Sequence, residues 1–281
     1  MPQLSCYISQ TLQTALEDRS KTTGESISHI VSEALSEHFG VDLHTIFQVS
    51  TTGALVEGVY QKAVSSHHLL KYGDFGLGTF ENLDGEMVVL DGYMYQTTSD
   101  GVCRQVTADV GTPFAVVLYF KGDVSWSVDE VLTFNQIMET CDQHRDSNNL
   151  FYAFRVDGSF SHVRTRAMQP AAPGVGLAAA AAVQPEFDFT DVDGTLIGIW
   201  SPQFSCNFNV PGYHFHFLSN DRKQGGHLLD CTGRDLRFRT ERINDLHLSL
   251  PESTDFLRAD LTRDISKDLS YAEELHHKDQ R

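Results

Sequence analysis

Three histidines give the sequence its clearest chemistry. His214 and His216 stand two apart in Gly212-Tyr213-His214-Phe215-His216-Phe217-Leu218, and His227 follows in Gly225-Gly226-His227-Leu228-Leu229-Asp230. Residues two apart on a strand share a face with Cα atoms about 6.6 Å from each other, close enough for two imidazoles to meet one ion. Three protein nitrogens and an open position are what a catalytic zinc takes. A fourth ligand would make the site structural, and Cys206 and Cys231 lie near in sequence; three unrelated histidines on a solvated strand pair are the plainer alternative. Three neutral imidazoles leave the charge of a divalent ion uncompensated. The open face then favours an anionic, oxygen-rich, chelating ligand, which points to small acids.

This chemistry needs a strand that puts Phe215 and Phe217 on the buried side, and a hairpin that returns His227 opposite His216. The polar, glycine-rich stretch from Ser219 through Asn220, Asp221 and Arg222 to Gly226 supplies the hairpin. Beyond Val41 the pattern is strand-rich. Asp84-Gly85, Asp91-Gly92, Asp100-Gly101, Asp157-Gly158 and Asp193-Gly194 read as turns between short apolar runs such as 87–90, 114–120 and 150–156. Helices are expected over residues 55–68 and 128–142. The alanine-rich stretch 171–183 reads as a surface loop or a short alanine helix, with a movable flap over a site as the alternative. Residues 259–281 read as a peripheral helix or tail.

Of 281 residues, 41% are apolar and 21% charged, with a formal net charge of -17. That balance suits a globular chain and repels phosphate backbones and anionic membrane surfaces. Nucleic acid is therefore an unfavoured partner. No apolar run reaches the length of a spanning helix, which argues against a membrane protein, and no export signal opens the chain. Five cysteines without CxxC spacing fit reduced thiols and a cytoplasmic location.

Residues 1–40 form a separate plan. Leu4, Cys6 and Ile8 alternate with polar neighbours as a short strand; one helix is expected from about Gln10 to Lys21, and another from Glu25 or Ser26 with Ile27, Ile30, Val31, Ala34, Leu35 and Phe39 on one stripe, closing at Gly40. This segment resembles the ribbon-helix-helix fold of small bacterial repressors, in which two chains pair their strands and interlock their helices. The strand residues that would then read DNA are Gln3, Ser5 and Tyr7, none of them basic, and the segment holds two basic residues against five acidic ones. A dimerisation arm is favoured over an operator-binding one; a helical hairpin without this fold is the alternative.

Further motifs occur in order: Gly73-Asp74-Phe75-Gly76-Leu77-Gly78-Thr79-Phe80, Leu83-Asp84-Gly85-Glu86, Leu90-Asp91-Gly92, Thr112-Pro113-Phe114-Ala115 and Gln184-Pro185-Glu186-Phe187, then the two histidine segments. From about Leu55 to the C-terminus the chain resembles the alpha-acetolactate decarboxylase family. The strand-rich pattern with its expected helices makes an α+β fold: a sheet-rich mixed domain over residues 41–281, preceded by the strand-helix-helix arm over 1–40. The resemblance implies a zinc enzyme that converts acetolactate, a small anionic 2-hydroxy-3-keto acid, to acetoin and carbon dioxide, with His214, His216 and His227 as zinc ligands. It carries an acidic active-site residue onto Glu86, a substrate-facing threonine onto Thr79, an active-site arginine onto Arg166, and a glutamate of the C-terminal tail onto Glu273, with Glu274 as the fallback. Two features depart from the family pattern: residues 166–184 are rich in glycine and alanine where the family usually has proline and an aromatic, and the arm is additional.

In such a reaction the departing carboxyl group leaves an electron pair that is delocalised into the ketone as an enediolate, and zinc chelated by the hydroxyl and ketone oxygens is the electron sink. Arg166 would grip planar oxygen pairs through its forked donors, and Glu86 would handle the proton. A cupin-type metal oxygenase also uses an HxH pair and a later histidine, but wants a glutamate shortly after the pair, which Ser219-Asn220-Asp221-Arg222 does not supply. A DNA-binding metal or metabolite sensor is the non-enzymatic rival, with its need for a basic strand face unmet.

Overall fold

Alternating apolar residues build two large sheets that share one core. The computed structural model describes residues 5–23, 27–39, 44–172 and 174–273, and the chain divides into two compact units, Met1–Leu43 and His44–Arg281. The first unit contains α1 (Gln10–Thr23) and α2 (Ile27–Phe39), close to the helices expected from the apolar stripes. Residues 5–9 have no regular structure, and the start of the expected strand, residues 1–4, lies outside the described residues. A strand takes its hydrogen bonds from a neighbour, so one copy alone cannot form a ribbon. Ile30 is buried, whereas Leu12, Ile27, Leu35 and Phe39 are exposed.

In the second unit, one sheet joins β1 (Thr45–Val49), β2 (Phe75–Thr79), β3 (Glu86–Leu90), β4 (Tyr93–Thr97), β5 (Cys103–Gln105) and β6 (Phe114–Leu118) to β13 (Asp245–Ser249) from the far end of the chain. The order is β13-β1-β6-β2-β3-β4-β5; β13 runs parallel to β1 and the other pairings are antiparallel. The other sheet contains β7 (Val124–Val128), β8 (Leu132–Thr133), β9 (Phe151–Arg166), β10 (Glu186–Ser201), β11 (Gly212–Ser219) and β12 (Gly225–Ile243). Because β11 pairs with both β10 and β12, while β9 also lies between those two, the four strands complete a closed circuit. Closure fixes their relative positions without relying on loops.

The sheets pack across a shared apolar layer in which Leu77, Val88 and Val116 of one meet Ala153, Ile197 and Leu218 of the other. Alternate residues face outward: Met87, Val89 and Val117 enter a second cluster, and Phe154, Phe215, Phe217 and Phe238 a third. This is the sheet-rich α+β architecture expected from the sequence.

Several local expectations change. Residues 55–68 are not one helix: α3 (Thr52–Val56) is followed by a strand Val64–Ser65 and a four-residue helix Ser66–Leu69. Gly58 at φ +79° breaks the helix, in the left-handed region that glycine tolerates. Over 128–142 only α4 (Phe134–Asp142) is helical, started by a capping box between Thr133 and Gln136. Asp157-Gly158 and Asp193-Gly194 do not turn the chain; Gly158 and Gly194 are partners inside the long β9–β10 ladder. A Cβ on Gly194 would stand 2.4 Å from the Phe217 ring, so the glycine serves packing rather than a turn. The alanine-rich stretch forms α5 (Leu177–Ala181), whose Leu177, Ala180 and Ala181 enter the core rather than the surface. They pack there with Leu269 and Ala272 of α6 (Ser266–Glu273), which falls within the tail expected over residues 259–281.

Candidate active site

The site lies where the shared core meets strand ends. On β11, His214 and His216 point inward with Leu218 while Phe215 and Phe217 face the other side, as the spacing requires. Phe215 stands opposite Gly198, where a Cβ would come within 2.1 Å of its ring, so an unbranched backbone leaves the ring its place. The β11–β12 hairpin pairs His216 with His227. On β12 a bulge skips Leu229, so that Arg164 opposes Asp230 but Arg166 opposes His227. Such a bulge re-aims side chains beside a site.

The three rings converge. His214 Nε2 lies 3.2 Å from His216 Nε2 and 3.1 Å from His227 Nδ1, and all three residues are at most 9% exposed. Nitrogens at two corners of a tetrahedral zinc sphere stand about 3.3 Å apart at ordinary bond lengths, so the spacing fits a divalent ion. His216 Nδ1 lies 2.8 Å from the Met87 carbonyl, which can only accept, so the ring donates there and turns a bare Nε2 toward its neighbours. Burial holds His214 down at about 3 and His216 and His227 well below the usual histidine range, with Arg166 adding repulsion. Neutral rings with lone pairs aimed at one point form a ligand set for a cation. Cys231 is packed in the apolar core behind β11, and among the described residues the metal-ligating cluster found is the histidine trio.

Around the trio stand the other residues singled out from the sequence. Thr79 and Glu86 are cross-strand partners at the β2–β3 end, joined through a short turn that includes Gly85 at φ +86°. The Thr79 hydroxyl donates to Gly85 O at 2.8 Å, which leaves its oxygen lone pairs as acceptors. Glu86 Oε1 accepts from Met168 N at 3.2 Å, and its Oε2 lies 3.6 Å from His216 Nε2. Burial raises the Glu86 carboxyl to about 7 against the opposing pull of Arg166. Arg166 is 4% exposed, with Nη1 3.9 Å from Glu86 and Nη2 3.8 Å from Glu273. Glu273, the last described residue of α6, reaches within 3.8 Å of His214 and 3.6 Å of His227, and burial raises its carboxyl too. Glu274 lies outside the described residues.

A cavity of about 40 Å³, room for a few water-sized groups, joins these side chains. Its polar lining is Thr52, Thr79, Glu86, Arg166, His214, His216 and Glu273, and Leu55, Leu83, Phe114, Leu177, Val210 and Leu269 belong to its apolar wall. Arg166 Nε and Glu273 Oε2 are buried without a hydrogen-bond partner among the described residues. A donor and an acceptor left open beside a cation site suit a small polar ligand. Sequence reasoning assigned no role to Thr52, the Met87 carbonyl or Gln184, which meets Arg166 at 2.6 Å. Only Gln184 had a signal, its place in the Gln-Pro-Glu-Phe motif.

Comparison with known proteins bears on the family and the fold. The family profile for alpha-acetolactate decarboxylase matches residues 46–263. An alpha-acetolactate decarboxylase of Methanosarcina mazei is 37% identical over 250 residues, covering 89% of this chain and 85% of that protein. One from Methylococcus capsulatus is 39% identical over 235 residues, covering 83% and 90%. The crystal structure of alpha-acetolactate decarboxylase from Bacillus subtilis strain 168 superposes with a TM-score of 0.80 at 35% identity, covering 82% of this chain and 100% of that one.

Proposed function

The chain belongs to the alpha-acetolactate decarboxylase family of carboxy-lyases, and from that premise we propose that it converts 2-acetolactate to acetoin and carbon dioxide with zinc held by His214, His216 and His227. The observation that carries this reading is the pair of unsatisfied buried atoms, Arg166 Nε and Glu273 Oε2, of residues that line the same cavity as His214 and His216. A 2-hydroxy acid offers an anion to the first and a hydroxyl to the second.

When bound, zinc would be held by His214, His216 and His227 and would supply Lewis-acid stabilisation of the negative charge that develops on the ketone oxygen. Arg166 orients the carboxylate. The bond between the carboxyl carbon and its neighbour breaks, carbon dioxide departs, and the electron pair passes toward the ketone oxygen as an enediolate. Glu86, buried on the cavity beside the trio, delivers a proton to the carbon that lost the carboxyl group. Its Oε1 is occupied by Met168 N–H, so Oε2 is the oxygen that carries the proton. Glu273 accepts from the substrate hydroxyl, with the Thr79 lone pairs as a second acceptor. The apolar wall keeps water from competing for the proton. Acetoin formation from acetolactate by the zinc-loaded protein, with carbon dioxide in equal amount, tests the reading.

For residues 1–40 we propose self-association into a dimer. Two helices make a core too small to stand alone, and Leu12, Ile27, Leu35 and Phe39 offer apolar surface to a second copy. The location proposed is the cytoplasm, where the free thiols of all five cysteines persist.

A further inference from the structure

The guanidinium of Arg166 is held on one side only. Nη1 donates to Gln184 Oε1 at 2.6 Å and approaches Met168 Sδ at 3.3 Å, two neutral acceptors. Nε has no partner among the described residues, and Nη2 stands 3.8 Å from Glu273, beyond hydrogen-bond reach. Nε and Nη2 form one straight edge of the guanidinium plane, spaced to meet both oxygens of a carboxylate. Gln184 is itself fixed: it is buried, its backbone N–H donates to Ala181 O at the end of α5, and the carbonyl of the next residue, Pro185, accepts from Ala167 N.

Burying a guanidinium costs several kcal/mol unless a charge compensates it. Gln184 and Met168 add no charge, and the carboxyls of Glu86 and Glu273 stand 3.9 and 3.8 Å away, beyond hydrogen-bond reach, so the fold leaves the Nε–Nη2 edge to be hydrogen-bonded by whatever enters the cavity. We propose that Gln184 is a positioning residue that turns the Nε–Nη2 edge of Arg166 toward the cavity and, by being neutral, reserves its charge for the carboxylate of the substrate. The inference rests on the decarboxylase reading and adds to it a means of telling substrate from product. Acetolactate is an anion and is gripped by the edge; acetoin has lost the carboxylate and is not. Loss of carbon dioxide thus removes the group through which Arg166 holds the ligand, and the product leaves.

The test compares two ligands on zinc-loaded protein by calorimetry: 2-hydroxy-2-methylbutanoate, an acid with no ketone to accept electrons, and acetoin. Gln184→Glu keeps the shape and the hydrogen bond but supplies a competing carboxylate. It is expected to weaken binding of the acid about tenfold or more and raise KM for acetolactate similarly, while acetoin affinity stays within about twofold and zinc content is unchanged. Gln184→Met, neutral and of similar length, removes the acceptor and is expected to show the same split between ligands at smaller size; it decides the matter should Gln184→Glu fail to fold. Equal weakening of both ligands, or of neither, with zinc retained, overturns the role of Gln184. Wild-type protein that binds the acid yet makes no acetoin overturns the decarboxylase reading instead, so the two failures are distinct.

Discussion

Arg166 and His227 are cross-strand partners near the ends of two long neighbouring strands, set opposite each other by the bulge at Leu229. The group that would take the substrate carboxylate and one ligand of the ion are therefore joined by a backbone ladder rather than by loops. The same ladder logic pairs His216 with His227 and Thr79 with Glu86. Rigid elements hold reacting groups to the small tolerances that catalysis demands.

His216→Ala removes one of the three proposed ligands and frees the Met87 carbonyl. Loss of an outer hydrogen bond to a ligand costs roughly 10–100-fold in metal affinity, and loss of the ligand itself should exceed that. Zinc content after dialysis and acetoin formation are expected to fall together. Full activity with stoichiometric zinc would remove His216 from the ligand set.

Glu86→Gln is isosteric and cannot transfer a proton. Zinc should remain stoichiometric by elemental analysis, while kcat falls by about 10²–10⁴-fold, the usual span for a general acid or base. A variant with wild-type turnover would assign the proton to another group.

Arg166→Lys retains the charge and loses the two-pronged edge. We expect kcat/KM for acetolactate to fall roughly 100-fold, about 3 kcal/mol of transition-state stabilisation, with zinc unaffected. Steady-state kinetics decide this, and a lysine variant as efficient as wild type would show that a point charge suffices.

Acid should destabilise the zinc-free protein. The three histidines are depressed in the folded state, so they contribute stability above the ordinary histidine value of 6.5 and lose it as pH falls toward the folded values. Glu86, raised from 4.5 to about 7, and Glu273, also raised, act oppositely: their contribution is present at low pH and lost as pH rises through the folded value. The three depressed histidines outnumber the two raised carboxyls, so unfolding below the ordinary histidine value takes up protons and acid favours it. The Tm of zinc-free protein is expected to drop between about pH 6.5 and pH 5, and a Tm that rises over that range would contradict the burial of the trio.

Removal of residues 1–40 should bring the mass measured by light scattering to that of one chain and leave the acetoin rate unchanged. A truncated protein that stays dimeric would place the contact elsewhere.

The histidine trio was legible because period-two spacing and a polar hairpin determine side-chain direction and return, two local rules that the sheet obeys. Thr79, Glu86, Arg166 and Glu273 were different: each came from likeness to a family, since a lone glutamate after Asp-Gly or an arginine on a strand carries no spacing that demands a site. The register of β9 against β12 depends on a bulge at Leu229, which no local pattern marks. Asp157-Gly158 and Asp193-Gly194 read as turns because dipeptide rules know nothing of the Leu236 and Phe217 side chains that occupy the space above those glycines. The alanine stretch forms the short helix that its composition allows, but its burial was not legible: small side chains can signal either a featureless loop or a close approach between helices, and only packing against Leu269 and Ala272 decides.

The most direct measurement incubates purified protein, loaded with one equivalent of zinc, with racemic acetolactate and follows acetoin over time against a buffer blank. Enzymatic acetoin formation that disappears on chelation and returns on adding zinc is the predicted result. Protein that holds zinc at the trio and yields no acetoin above the blank would contradict the account.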